Sequence, residues 1–258
     1  MADRTMHRQR PVVLLHGWTM RGSIFDDLIA RLPDGFDCHA PDLPGHGDRA
    51  MVEPSLEAAA QTLADLLEAH NLTEAVLVGW SMGAAVAWQF VEQFGADRIA
   101  GLMTVDMSPK LGCTADWPHG LIDQGESDLA TTTGRMKADW RGMAEAIATT
   151  MFGQRTGAAI YSRQDALTQI LTNDPAKMVA MWEALVGMDK RELIGTLPFP
   201  LLATCGARSR VYPASAARWL ANTAPHGSMH MFENSGHSAH LEEPEAFAKE
   251  LIEFAGSL

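Results

Sequence analysis

A serine between two glycines is the feature of this chain that points most directly to chemistry. Residues 79–83 read Gly-Trp-Ser-Met-Gly, with Ser81 at the centre. Residues 74–78 form a short run typical of a buried strand, and residues 84–91 follow a helical pattern. A sharp turn from strand to helix exposes such a hydroxyl as a nucleophile, and small neighbours let the backbone fold tightly there. The alternative is that Ser81 is the N-cap of an ordinary helix.

A serine hydroxyl at neutral pH needs a base that takes its proton, and His237 is the best candidate. It follows the apolar run at residues 229–232 and precedes the last helix, which places it at the carboxyl end of a strand. His240 is the competitor, but its position at the start of that helix predicts that it faces outward. We expect His16 and His46 to be structural or solvated.

Acyl transfer also needs hydrogen-bond donors for the charge that develops on the carbonyl oxygen. Because Ser81 opens a helix, the free backbone N–H of Met82 is expected to point toward the site. The second donor is expected in the loop after the first strand, residues 15–19. Gly17 permits a tight turn there, and the backbone N–H of Trp18 is the predicted donor.

Composition limits the partners and compartments that suit this chain. Its 258 residues are 47% hydrophobic, enough for one large core or a core with a subdomain. The net charge of -12 argues against nucleic acid or an anionic membrane surface as a partner. Cys38, Cys113 and Cys205 lack metal-ligand spacing and favour free thiols in a reducing compartment. Residues 1–10 are basic with no apolar signal core after them, so we expect a cytoplasmic protein.

Short apolar runs alternate with helical patterns, which predicts an α/β fold with a mostly parallel sheet flanked by helices. We predict strands near residues 11–15, 36–40, 75–79, 100–106, 199–204 and 228–232. Amphipathic helices are predicted near residues 23–31, 55–70, 83–94, 213–223 and 241–255.

The alternation stops between Pro109 and Pro198, where only helical stretches occur, near residues 128–150, 160–171, 174–187 and 189–195. We therefore predict a core of residues 1–108 and 198–258 and a helical cap of residues 109–197. Such an insertion lies at the carboxyl edge of the sheet, where open α/β sheets bind ligands.

The predicted cap is rich in tryptophan and methionine, whose side chains suit an adaptable apolar pocket. The alternative is that they pack the cap onto the sheet. With the tryptophan beside the serine, the residues predicted to line a substrate pocket are Trp80, Trp140, Met143, Met181 and Trp182.

Four motifs make the chain resemble the α/β-hydrolase fold family, over nearly its whole length except the insertion. They are His16-Gly17-Trp18, Asp42-Leu43-Pro44-Gly45-His46-Gly47, Gly79-Trp80-Ser81-Met82-Gly83, and Gly236-His237 followed by Glu242-Glu243-Pro244 and Phe247. The resemblance implies an α/β-hydrolase fold and a serine–histidine–acid triad. Within the family, the His-Gly-Trp and Gly-Trp-Ser sequences are most similar to the bacterial esterases of pimeloyl carrier-protein methyl ester.

The chain departs from this family at the triad acid. The usual pattern after the penultimate strand is Gly-x-x-Asp-x-x-x-Pro, whereas residues 206–213 carry Ser209 at the acid position. Some family members, including certain dehalogenases, lipases and small bacterial esterases, place their acid on the neighbouring strand. Here Asp106 stands at the end of that strand, and adjacent strands are about 4.8 Å apart. Asp106 is therefore the predicted acid, the alternative being a residue that braces the entrance to the cap. Asp42 opens a turn that is usually structural.

These residues together predict a serine esterase. Ser81 attacks an acyl carbonyl, His237 transfers the proton and Asp106 orients His237, with an apolar acyl ester or thioester as the small-molecule substrate. No cofactor or metal is implied, and the oligomeric state stays open. Alternatives are a perhydrolase, lyase or acyltransferase on the same triad, a carbon–carbon bond hydrolase, and a non-catalytic ligand-binding protein.

Overall fold

The computed structural model describes residues 10–258, and its centre is a six-stranded sheet. Residues 1–9, on which the expectation about a signal sequence partly depends, lie outside the described residues. Four of the six strands are short runs of mostly apolar residues, as predicted. The strands are β1 (Val12–Leu15), β2 (Cys38–His39), β3 (Ala75–Trp80), β4 (Ile99–Val105), β5 (Leu201–Gly206) and β6 (Gly227–Phe232).

All neighbouring strands are parallel, in the order β2-β1-β3-β4-β5-β6. The chain moves outward from β1 to β2 and then crosses to β3 on the other side of β1. The loops after β1 and β3 therefore diverge, and this opens a crevice at the carboxyl ends of these strands. In register, Leu15 lies opposite Gly79 and Trp80 opposite Val105, so the segments that follow β1, β3 and β4 begin at one edge.

Helices cover the sheet, and five of them fall between β4 and β5. The α-helices of the described residues are α1 (Asp26–Arg31), α2 (Leu56–Ala69), α3 (Met82–Phe94), α4 (Glu126–Ala138), α5 (Trp140–Thr150), α6 (Arg163–Leu171), α7 (Pro175–Val186), α8 (Arg191–Ile194), α9 (Ala214–Thr223), α10 (Ala239–Glu242) and α11 (Pro244–Ser257). The predicted α/β architecture is confirmed. Within residues 10–258, none of the helices has both the length and the hydrophobicity that crossing a membrane would require.

Two predicted helices are each divided in the structure. The helix predicted at 128–150 breaks at Asp139, which leaves helical geometry and accepts a hydrogen bond from the amide of Gly142 as the N-cap of α5. The helix predicted at 241–255 breaks at Glu243, after which Pro244 begins α11. Proline suits the first turn of a helix because its missing N–H has no partner there.

The sheet separates two hydrophobic clusters, which hold it rigid beneath the loops at its edge. Alternate residues of a strand point to opposite faces, so Val13 and Leu15 join one cluster while Val12 and Leu14 join the other. All four are fully buried. The residues that follow these strands are therefore held on a fixed frame.

The turn between β3 and α3 leaves no room for a side chain at Gly83. A Cβ atom there would lie 2.0 Å from the carbonyl oxygen of Leu15. We expect Gly83→Ala to lower the free energy of unfolding by about 1–3 kcal/mol, because overpacking forces the backbone to shift. The measurement is urea-induced unfolding.

The matched control is Gly134→Ala in α4, where a Cβ atom meets no other atom within 4 Å. This change is expected to stabilise the protein by up to about 1 kcal/mol, since alanine favours a helix over glycine. Equal effects of the two substitutions would contradict the steric argument.

Candidate active site

Ser81 lies on the turn between β3 and α3 in a strained backbone conformation. Its φ is 51° and its ψ is -118°, a combination that non-glycine residues rarely adopt. Its amide donates to the carbonyl of Val105 on β4 at 2.9 Å. Ser81 occupies the N-cap position, but its hydroxyl makes no capping hydrogen bond. The hydroxyl is therefore available as a nucleophile. As an ordinary N-cap it would instead accept a hydrogen bond from the backbone of α3.

His237 and Asp106 form a buried hydrogen-bonded pair. The Nδ1 atom of His237 lies 2.6 Å from Oδ2 of Asp106. Asp106 directly follows β4, has a positive φ of 48° and donates its amide to Thr204 on β5 at 2.8 Å. Asp106 is 2% exposed and His237 is 7% exposed, so water weakens their interaction little. With Nδ1 donating to the carboxylate, Nε2 of His237 is the nitrogen left to accept a proton.

Ser209, at the position where the family pattern has its acid, contacts Asp106 directly. Its hydroxyl donates to Oδ2 of Asp106 at 2.6 Å, the same oxygen that His237 approaches. The hydroxyl oxygen in turn accepts from the amides of Val211 and Tyr212. The serine therefore belongs to the hydrogen-bond network of the acid, although it carries no charge.

Hydrogen bonds from several directions fix the loop that carries His237. The indole Nε1 of Trp80 donates to the backbone carbonyl of His237 at 2.8 Å. Glu242 accepts from the amide of Gly236 at 2.7 Å, and Glu243 accepts from the hydroxyl of Ser235 at 2.6 Å. Burial raises the pKa of Glu242. The imidazole is thus held by its backbone as well as by its acid.

The expectation that His240 faces outward is wrong. Its side chain is 1% exposed and packs against Trp80 and Phe25, with ring centroids 4.5 and 5.0 Å apart. Burial lowers its pKa to about 3, and neighbouring His237 acts in the same direction. The short helix α10 is packed into the protein here, and Ala239 and Leu241 on either side of His240 are also buried. His240 is therefore a neutral core residue beneath the site.

Asp42, which the sequence left outside the triad, binds backbone. Its two carboxylate oxygens accept from the amides of Gly22 and Asp48, both at 2.7 Å. The structural role expected for this turn matches these contacts.

Two buried histidines tie the loop after β1 to residues 42–47. His16 accepts at Nε2 from the amide of Leu43 at 3.0 Å, and His46 accepts at Nε2 from the amide of Thr19 at 3.1 Å. At Nδ1, His16 contacts the carbonyl of Gly17 and His46 that of Pro44, both at 2.9 Å. Each ring must be neutral to accept at Nε2 while donating at Nδ1. Burial lowers the pKa of His16 to about 3 and that of His46 to about 4.

Of the two predicted oxyanion donors, Met82 directly follows Ser81 in the chain, and Trp18 lines the same cavity as Ser81. In the described part of the chain, neither the amide of Trp18 nor that of Met82 donates to another backbone group. The indole of Trp18 donates to the carbonyl of Met178 on α7 at 3.0 Å, and its ring packs against Trp182 with centroids 5.4 Å apart. The loop of Trp18 is therefore anchored to the insertion as well as to the core.

Ser81, His237 and Trp18 share the wall of one cavity of about 360 Å³. Of the predicted pocket residues, Trp80, Met143 and Trp182 line this cavity. Its lining does not include Trp140 or Met181. Met181 is fully buried in the hydrophobic cluster on one face of the sheet, and Trp140 packs edge-on against Trp18 with centroids 6.1 Å apart.

Three contacts around the predicted triad residues were not predicted: those of Trp80 with the carbonyl of His237, of Ser209 with Asp106, and between the loops of His16 and His46. The contact between the two histidine loops had a signal in the sequence. His16 and His46 stand 27 residues from their respective partners Leu43 and Thr19, in two motifs that flank β2. The other two contacts depend on how side chains meet across the sheet, which spacing along the chain does not show.

The chain is similar to known esterases over most of its length. The model of the alpha/beta hydrolase family matches residues 12–250. The pimeloyl-(acyl-carrier protein) methyl ester esterase of Vibrio cholerae serotype O1 is 33% identical over 252 residues, covering 95% of this chain and 93% of that protein. The corresponding esterase of Chromobacterium violaceum is 29% identical over 254 residues, covering 96% and 95%.

Solved structures show the same fold. An esterase from Exiguobacterium antarcticum superposes with a TM-score of 0.87 at 21% identity, covering 96% of this chain and 92% of that one. The esterase RhEst1 from Rhodococcus sp. ECU1013 has a TM-score of 0.80 at 25% identity, covering 96% and 91%.

The neutral histidines make the stability of the fold depend on pH. In the unfolded chain a histidine has a pKa near 6.5, above the folded values of about 3 for His16 and about 4 for His46. Between these values the unfolded state binds more protons, so the stabilisation is present above pH 6.5 and is lost as the pH falls toward 4. For His46, acidification from pH 7.5 to 5.0 is expected to cost about 2 kcal/mol of the free energy of unfolding.

Urea unfolding of His46→Gln at the two pH values tests this expectation. Glutamine is polar but does not titrate. On acidification the free energy of unfolding of this variant is therefore expected to fall by about 2 kcal/mol less than that of the wild type. His226→Gln, at an exposed position, is the control and should follow the wild type. Identical pH dependence of wild type and His46→Gln would contradict the assignment of a buried neutral ring.

Proposed function

Because the chain belongs to the alpha/beta hydrolase family and is a carboxylic ester hydrolase, we propose that Ser81, His237 and Asp106 are its catalytic triad. The observation that carries this proposal is the 2.6 Å contact between His237 and Asp106 beside a cavity that Ser81 also lines. The confirmed resemblance to esterases supplies the reaction class, and the contacts of these side chains support their roles.

In the first half of the reaction, the hydroxyl oxygen of Ser81 attacks the ester carbonyl carbon. Its proton passes to Nε2 of His237, and Asp106 stabilises the imidazolium through Nδ1. The carbonyl oxygen becomes an anion that the backbone N–H groups of Trp18 and Met82 bind. When the tetrahedral intermediate collapses, the bond to the alcohol oxygen breaks and His237 protonates that oxygen, which leaves an acyl group on Ser81.

In the second half, water replaces the alcohol. His237 takes a proton from water as the water oxygen attacks the acyl carbon, and the same two amides bind the new oxyanion. The bond between the acyl carbon and Ser81 then breaks, the serine recovers its proton from His237, and the free acid leaves. The two half-reactions use the same groups in the same positions, as the triad mechanism requires.

The lining of the cavity supports an apolar acyl group of short to medium length. Alongside the catalytic side chains, its wall includes Met107, Leu111, Met136, Ile147 and Leu185. We propose that residues 109–197 act as a lid over this cavity, because α4, α5 and α7 contribute much of the wall. The cavity lies between these helices and the sheet edge that carries Ser81.

The relatives from Vibrio and Chromobacterium are named for a methyl ester carried by pimeloyl-acyl-carrier protein. We propose the same class of substrate here, a methyl ester of an acyl chain, with the carrier-bound form as the natural candidate. We also propose a cytoplasmic location, in keeping with the free thiols of Cys38, Cys113 and Cys205.

A fluorophosphonate probe tests the nucleophile, and nitrophenyl esters test the acid. The probe is expected to label wild-type protein at Ser81 and to leave Ser81→Ala unlabelled. Asp106→Asn is expected to lower kcat by about 10⁴-fold, since the amide supports the wrong tautomer of the histidine. Asp42→Asn is the control and should keep kcat within a few-fold of wild type. Labelling at another serine, or full activity of Asp106→Asn, would contradict the triad.

The charge on the cavity wall predicts a preference among substrates of equal length. Arg135 and Arg210 line the cavity, and no carboxylate occurs among its described lining residues. Monomethyl adipate is therefore expected to have at least about a tenfold higher kcat/KM than methyl 6-aminohexanoate, because an anionic end is attracted where a cationic end is repelled. Arg135→Gln should reduce this ratio without changing kcat for an uncharged methyl ester. An unchanged ratio of the two kcat/KM values would contradict a role of Arg135 in substrate recognition.

A further inference from the structure

We propose that Ser209 is a positioning residue for the triad acid. This inference rests on the triad proposed above. Ser209 stands where the family pattern has its acid, and it takes no direct part in acyl transfer.

The first step of the argument is that both side chains meet at one oxygen. The hydroxyl of Ser209 and Nδ1 of His237 each lie 2.6 Å from Oδ2 of Asp106. The other carboxylate oxygen, Oδ1, is buried and has no hydrogen-bond partner among the described residues. Two donors on Oδ2 and none on Oδ1 fix the rotation of the carboxylate. Removing one of these donors leaves the plane of the carboxylate without its second restraint.

The second step is that the hydroxyl of Ser209 is itself fixed. It accepts from the amides of Val211 at 3.2 Å and Tyr212 at 3.3 Å, while the amide of Ser209 donates to Gly206 at 3.1 Å. These contacts close a turn around the side-chain oxygen, which leaves its proton to point at Asp106. A donor held in this way orients the acid without being charged.

Removal of the hydroxyl tests the positioning role. Ser209→Ala is expected to lower kcat by about ten- to a hundredfold with little change in KM, since a hydrogen bond to a charged group is lost while the cavity wall is retained. Ser209→Thr keeps the hydroxyl and is expected to restore kcat. Ser228→Ala, at an exposed position of β6, is the matched control and should leave kcat unchanged. Thermal midpoints of all variants check that each one folds.

The outcomes separate the two proposals. A wild-type kcat for Ser209→Ala would overturn the positioning role and leave the triad intact. Full activity of Asp106→Asn or Ser81→Ala would instead contradict the proposed function.

Discussion

The site depends on the hydrogen bonds of a single buried carboxylate at the end of β4. The carboxylate of Asp106 receives His237 from the loop after β6 and Ser209 from the loop after β5. Three segments that are far apart in the chain therefore meet at one oxygen atom. A charge that is almost fully buried is costly unless it is paired and hydrogen-bonded, so these partners also make the burial of Asp106 tolerable. The same contacts would orient Asp106 in its proposed role as the triad acid.

The backbone supplies a second constraint, because two neighbouring strands end on strained residues that carry two of the proposed catalytic side chains. Ser81 after β3 and Asp106 after β4 have positive φ values of 51° and 48°. Such conformations cost on the order of 1–3 kcal/mol each and persist where surrounding contacts enforce them. Here each strained amide donates to the next strand, Ser81 to Val105 and Asp106 to Thr204. The sheet thus holds both side chains at the turn that exposes them.

The strands of the fold could be predicted from the sequence more completely than the contacts around the triad candidates. Alternating apolar and helical patterns indicated the six strands, since burial of a parallel sheet requires them. The break of the long cap helix at Asp139 was missed because the flanking sequence remains helical in character across it. His240 was misplaced because its burial depends on how the short helix α10 packs onto Phe25 and Trp80, which a local pattern does not contain. Ser209 was recognised as a substitution at the acid position, yet its contact with Asp106 exists only in three dimensions.

The loop that carries Trp18 links the two constraints to the insertion. Its backbone is fixed to the core through His16 and His46, while its indole binds the carbonyl of Met178 and packs on Trp182. A displacement of α7 would therefore pull on the same residue whose amide is proposed to bind the oxyanion. Donors stabilise an oxyanion at distances of about 2.7–3.1 Å, so the proposed oxyanion site would require the insertion to keep its position on the core. The inserted helices thus line the cavity and, through the indole of Trp18, also hold the loop after β1.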